Sequence, residues 1–225
     1  MIRHSESPDE SAAVQLSHTA RQKGSIAALA ELSRQVAPPR GQRYVLLPHS
    51  EAAPAGGHQV EALDAEDGQI VVWALAPTQS GSGSEAEAGA ESGEVRSRRE
   101  WRWRVHAVRL GLSQRLLAVA VDHLKGRRIG KVPTINLPAV RLIVADADLL
   151  HQTAAISLER HVRDADEASL RTAAAEIDDA VLAAMSMLGA TGYVDAAPGR
   201  LARIVDLLGQ SVATVNEKSP ERCNA

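Results

Sequence analysis

Phenylalanine is absent from this chain of 225 residues, and three Trp and two Tyr bring the aromatic share to only 2%. An aromatic-rich sheet core is therefore excluded. The 44% hydrophobic fraction comes from Ala, Leu, Val and Ile, which favours helix packing and a mainly α architecture. A single cysteine, Cys223, cannot close an internal disulfide, which suits a reducing compartment. No apolar run approaches the ~20 residues a membrane helix needs. Met1 to Glu10 carries charges and a proline where a secretory signal needs an apolar core, so a cytoplasmic protein with no membrane partner is expected.

Neither sign of charge dominates either. With 25 basic and 28 acidic residues the formal charge is -3, leaving no field to draw the chain to nucleic acid. Arg96 to Arg104 (RSRREWRWR) interleaves cations with Trp101 and Trp103, but no nucleic-acid motif accompanies it. Trp101 and Trp103 alternate as the end of a strand leading into a helix would. The eight histidines form no i, i+4 pair with ligand spacing, so no metal site is expected. Ser50, Ser113 and Ser211 lack the elbow of a hydrolase nucleophile. His106, His123, His151 and His161 fall on helices as surface or satisfied core groups.

What is present divides the chain into five regions. Residues 1–40 read as a polar tail and a helix over Ala12 to Val36, with Leu16, Ile26, Leu29 and Leu32 as its apolar positions, stopped by Pro38-Pro39. Residues 41–76 form a small β-rich region around Tyr44 to Leu47 and Gln69 to Leu75. Residues 77–98, low in complexity and rich in Ser, Gly, Ala and Glu, read as a flexible linker. Residues 99–217 carry four amphipathic helices, and 218–225 a polar tail.

The first of these helices aligns Val105, Val108, Leu112, Leu116, Val119 and Leu124 along one face. Lys125 to Lys131 supplies the basic, glycine-containing C-terminus. Asn136 is expected to cap a second helix, with Pro138 in its first turn and Val140, Ile143, Val144, Ala147, Leu150, Ala154 and Leu158 inward. Leu170, Ala174, Ile177, Val181, Met185 and Leu188 mark a third helix, stopped by Gly189. Pro198 opens a fourth, with Leu201, Ile204, Val205, Leu208, Val212 and Val215.

Three blocks in this half carry a resemblance. They are Arg109-Leu110-Gly111-Leu112-Ser113-Gln114, then a basic stretch ending Ile129-Gly130, and Ser186-Met187-Leu188-Gly189-Ala190-Thr191-Gly192-Tyr193. In this order they resemble the C-terminal helical domain of acyl-CoA dehydrogenases, whose patterns there are R-x-G-x-A, R-x-x-F-G and L-G-G-x-G-Y. Ala145-Asp146 and Ala202-Arg203-Ile204 match as well. The resemblance covers about half of the chain. It implies a four-helix bundle preceded by a short β-rich remnant, with oligomer contacts through the bundle.

The resemblance also implies a site. Arg127 or Arg128 takes the place of the arginine that contacts the diphosphate of FAD, and Gly130, Gly189 and Thr191 join it as cofactor-binding residues. Three departures stand against a complete site. Leu137-Pro138 replaces the family's F-Q, Ala190 replaces the second glycine of the turn, and Gly209 falls where Y-E-G-T has its catalytic glutamate. Gly209 cannot accept a proton. Some members carry the base on the first long helix, and Glu100 lies near that position as the candidate catalytic residue.

About 100 residues precede the bundle, too few for two full domains. The acyl pocket is then incomplete in one chain. The implied protein is a subunit of a heteromeric, flavin-dependent α,β-dehydrogenase of an acyl thioester. It would form a homo- or hetero-oligomer with a full-length acyl-CoA dehydrogenase-like subunit, with FAD shared at the interface. Two alternatives are a non-catalytic assembly module that has lost FAD and an enzyme repurposed for specialised metabolism.

Overall fold

The computed structural model describes residues 8–39, 42–75, 88–193 and 197–213, without the side chains of 88–92, 94, 191, 193 and 197. Two helices, α1 (Pro8–Lys23) and α2 (Ser25–Gln35), replace the single one expected before residue 36. Gly24, at φ +89°, breaks the helix. The break has a tertiary partner: Asp67 accepts from the Ile26 amide at 2.9 Å and from Ser25 Oγ at 3.1 Å, capping α2 from a distant turn. A Cβ on Gly24 would stand 2.8 Å from that carboxylate.

That turn joins two strands of a sheet. Strands β1 (Tyr44–Pro48), β2 (Gly57–Ala65) and β3 (Gly68–Leu75) form an antiparallel sheet of order β1-β3-β2. Central β3 buries Ile70, Val71 and Val72, and β1 buries Val45, Leu46 and Leu47, so both faces of this strand pair are covered. Strand β2 is mostly exposed and bulges between Gln59 and Glu61. Arg115 ties the β2–β3 turn to the helices through Glu66 at 2.7 Å.

Helix α3 (Ala88–Gly126) is the axis of the molecule. It takes in 88–98, which composition had assigned to the linker; 77–87 lie outside the described residues. Trp101 and Trp103 are therefore helical and not strand residues, and both are buried. Two residues apart on a helix they point to nearly opposite sides, so α3 is covered all round. Its residues 103–113 are all buried, packed by α1 and by the later helices. Gly111 permits the α1 crossing, since a Cβ there would lie 2.1 Å from the Ser17 carbonyl oxygen.

A short hairpin, β4 (Arg128–Ile129) and β5 (Val132–Pro133), then leads through a 3-10 turn, Thr134–Asn136, into α4 (Pro138–Asp164). Asn136 does not cap α4. It ends the 3-10 turn, and Leu137 takes the cap position without a side-chain bond, with Pro138 in the first turn. Helix α5 (Glu167–Leu188) is capped by Asp166, which accepts from the Ala168 amide at 3.0 Å. Short α6 (Ala190–Tyr193) and α7 (Ala197–Val212) complete the chain.

Helices α3, α4, α5 and α7 form the expected four-helix bundle, with α1 as an additional cover on α3. Helix α4 buries Ala147, His151, Ala154, Leu158 and His161, a stripe at three- and four-residue steps. Ile143, expected inward, is 38% exposed because this stripe faces its neighbours one position away. Val215 and the tail 218–225 lie outside the described residues. Among the described residues no helix is long and apolar enough to cross a membrane.

Candidate functional site

The interior between α3, α5 and α7 holds a cation. Arg109 on α3 is 2% exposed. Its Nε donates to the Val205 carbonyl of α7 at 2.9 Å, its Nη1 lies 3.1 Å from His106 Nδ1, and its Nη2 donates to Asp178 of α5. One side chain thus joins three helices. Burial pushes the Arg109 pKa down, and the Asp178 charge opposes that shift.

Arginine only donates, so His106 Nδ1 must accept and the ring carries its proton on Nε2. Burial and the nearby Arg109 charge hold His106 well below the usual histidine value, which agrees with a neutral ring. Gly209 of α7 lies against this group. A Cβ there would come within 2.7 Å of Arg109 Cζ and Nη2. Beside it opens a cavity of about 240 Å³ lined by Arg102, His106, Arg109, Arg171, Asp178 and Gly209 among others.

Glu100 lies farther toward the α3 N-terminus, partly buried. Its carboxylate pairs with Arg96 at 2.9 Å and with Arg104 at 3.5 Å. Arg104 also meets Asp9 at 3.2 Å and lies 4.2 Å over the Trp103 ring. Glu100 is thus engaged by two guanidinium groups. It does not line the cavity beside Gly209.

Arg127, Arg128 and Gly130 stand at the other end of α3, roughly 40 Å along the helix axis from Glu100. All three are exposed. Gly130 has φ +62°, the first position of the two-residue hairpin turn, and Lys131 after it keeps a negative φ. That combination is the glycine-requiring type II′ turn. Neither guanidinium has a side-chain partner among the described residues.

Gly189 ends α5 at φ +59°, and its amide bonds the Met185 and Ser186 carbonyls at 3.2 Å. The ion pairs Arg102–Glu167 and Arg109–Asp178 set α5 running alongside α3 in the same direction. Gly189 and the Arg127–Gly130 hairpin therefore share one end of the bundle, and Glu100 lies toward the other. A Cβ at either glycine would meet nothing within 4 Å. The side chain of Thr191 lies outside the described residues.

A second buried polar pair links α3 to α4. Ser113 Oγ and His151 Nε2 are 2.8 Å apart, and burial lowers the His151 pKa to about 4. Among the described residues no cluster of three or more His, Cys, Asp or Glu could hold a metal ion. Sequence reasoning missed the Arg109, His106 and Asp178 group. Its one signal is the spacing of His106 and Arg109 inside an otherwise apolar run, VHAVRLGL.

Glutaryl-CoA dehydrogenase of Mycobacterium smegmatis, solved in complex with FADH2, superposes with a TM-score of 0.52 and 13% identity, over 76% of this chain and 50% of that one. The fold is that of the acyl-CoA dehydrogenases. The acyl-CoA dehydrogenase of Slackia heliotrinireducens gives a TM-score of 0.52 at 15% identity, covering 75% of this chain and 47% of its own. The ChsE4-ChsE5 complex from Mycobacterium tuberculosis gives 0.50 at 17%, covering 75% and 50%. The chain spans about half the length of each of these proteins. No family model matches the sequence, and no curated protein matches it.

Proposed function

We propose that this chain is a helical subunit of a heteromeric, flavin-dependent acyl-CoA dehydrogenase-like enzyme, and that a full-length partner supplies the base and the acyl pocket. The observation that carries this reading is the Gly209–Arg109 contact. Where the family resemblance places a catalytic glutamate, α7 has a glycine, and the space a side chain would need holds a guanidinium. No carboxylate can be added there without displacing Arg109 from its three bonds.

A partner is also suggested by α4. Leu142, Leu149 and Ile156 recur every seven residues along one face and are 62%, 61% and 66% exposed. Leu182 of α5 is exposed as well. A row of large apolar side chains at heptad spacing is the pattern of a helix that packs against another subunit.

The bundle end fits the diphosphate of FAD. Two uncommitted guanidiniums, Arg127 and Arg128, stand at the same end as the open backbone turns at Gly130 and Gly189, and paired guanidiniums suit a diphosphate. When bound at such an interface, FAD supplies the hydride acceptor for dehydrogenation of an acyl thioester. Arg127 and Arg128 would hold the anion; Glu100, engaged by Arg96 and Arg104, has no part in this reading. Ala190 favours a second reading, an assembly module without FAD, because it adds a methyl where the resembling motif has glycine.

Co-expression with a full-length acyl-CoA dehydrogenase-like subunit tests both. A yellow complex that is lost with Leu149→Asp, and that loses its flavin but not its assembly with Arg127→Gln and Arg128→Gln together, supports the first reading. A colourless complex supports the second. A chain that remains monomeric beside every such subunit refutes both.

A further inference from the structure

The cavity beside Gly209 has more hydrogen-bond donors than committed acceptors. Each of its carboxylates already accepts a bond: Asp178 from Arg109, and Asp206 from Gln210 Nε2 at 2.8 Å. Its donors have capacity left. Arg102 spends Nη1 on Glu167 at 2.8 Å, and its Nη2 has no partner among the described residues. Arg171 lines the rim of the cavity and makes no side-chain bond among the described residues. His106 has given Nδ1 to Arg109, which leaves its Nε2–H as the free polar atom of a ring that lines the same space.

Unspent donors in a half-enclosed space call for an anionic acceptor. The remaining wall is apolar, from Leu170, Ala174 and Val212. A planar carboxylate matches the guanidinium fork, and a short hydrocarbon chain matches that wall. The volume of about 240 Å³ limits the chain to a few carbons.

We infer that this cavity binds a short-chain monocarboxylate, its carboxylate held by Arg102 and Arg171 with the His106 Nε2–H, and its alkyl chain against Leu170, Ala174 and Val212. The site lies within one chain and needs neither flavin nor partner. It therefore stands or falls separately from the proposed function.

The purified chain is titrated with sodium butyrate at constant ionic strength, with sodium chloride and inorganic phosphate as controls. Thermal unfolding and the fluorescence of buried Trp101, next to Arg102 in the chain, report binding. Butyrate should give a saturable rise in Tm that chloride and phosphate do not. Arg171→Gln, a rim substitution compatible with folding, should raise the dissociation constant at least tenfold. Arg102→Lys, which keeps the charge and loses the planar guanidinium fork, should do the same, and Lys125→Gln should change nothing. The inference is overturned if butyrate acts no differently from chloride, if phosphate protects equally, or if both arginine variants bind butyrate as the parent does.

Discussion

Gly209 and Gly189 lie in the two regions that the family resemblance links to chemistry, and they are glycines for opposite reasons. Gly209 has ordinary helical geometry and no room, because Arg109 fills the space a side chain would take. Gly189 has room for an added Cβ and a backbone, φ +59°, that only glycine adopts cheaply. The helix face at Gly209 is closed and cross-braced by Arg109; the end with the glycine turns is open. The same substitution should therefore fail by crowding in one region and by backbone strain in the other.

The largest effect should come where crowding meets backbone. Gly111 faces the Ser17 carbonyl, with an added Cβ at 2.1 Å, and a carbonyl on a neighbouring helix cannot swing aside as a side chain can. Gly111→Ala should cost about 3 kcal/mol, read by urea unfolding, and should loosen α1 from α3. A loss below about 1 kcal/mol would show that the two helices are not held this closely.

Acid should attack the bundle interior through its neutral histidines. His151 titrates near 4 in the fold against an ordinary 6.5, because burial disfavours its charged form. A lowered pKa means that the unfolded chain binds more protons between those values, so stability is full above about pH 6.5 and falls as pH drops toward 4. His151 alone should remove about 3 kcal/mol over that window, and His106, also held well below the ordinary histidine value by burial, adds to the slope. Comparison with His151→Gln isolates this share from the carboxylates. An unchanged pH slope in that variant would mean the imidazole is solvated.

Gly209→Ala comes next, at about 2 kcal/mol. The obstacle is a side chain, so Arg109 can move, but moving it breaks bonds to α7, His106 and Asp178. Arg109→Met in the same background should recover part of the loss, since it removes the charge along with the crowding.

The sequence reveals the open region better than the closed one. Helices α5 and α7 were legible because one face of each is buried, and a single buried face writes a 3.6-residue period. Gly189 was legible as a stop for the same reason. The central helix defeats this logic: with Trp101, Trp103 and everything to Ser113 covered, no face is polar, and the tryptophans pass for an alternating strand. Arg109 is harder still, because a cation is expected in solvent until its partners are found 69 and 96 residues away. Gly24 passes for part of one helix because the cap of α2, Asp67, lies 41 residues beyond Ile26 in the chain.

The smallest effect belongs to the open end. Gly189→Ala should cost about 1 kcal/mol, entirely from backbone strain, since the new methyl meets no atom within 4 Å. Chirality separates the two mechanisms. A D-alanine, which favours positive φ as L-residues favour negative, should be tolerated at position 189 when introduced by semisynthesis. The positive-φ turn is then satisfied. At position 209 the same D-residue carries the local cost of a reversed centre inside a helix. Equal losses at both positions would remove the distinction between a glycine kept for space and one kept for conformation.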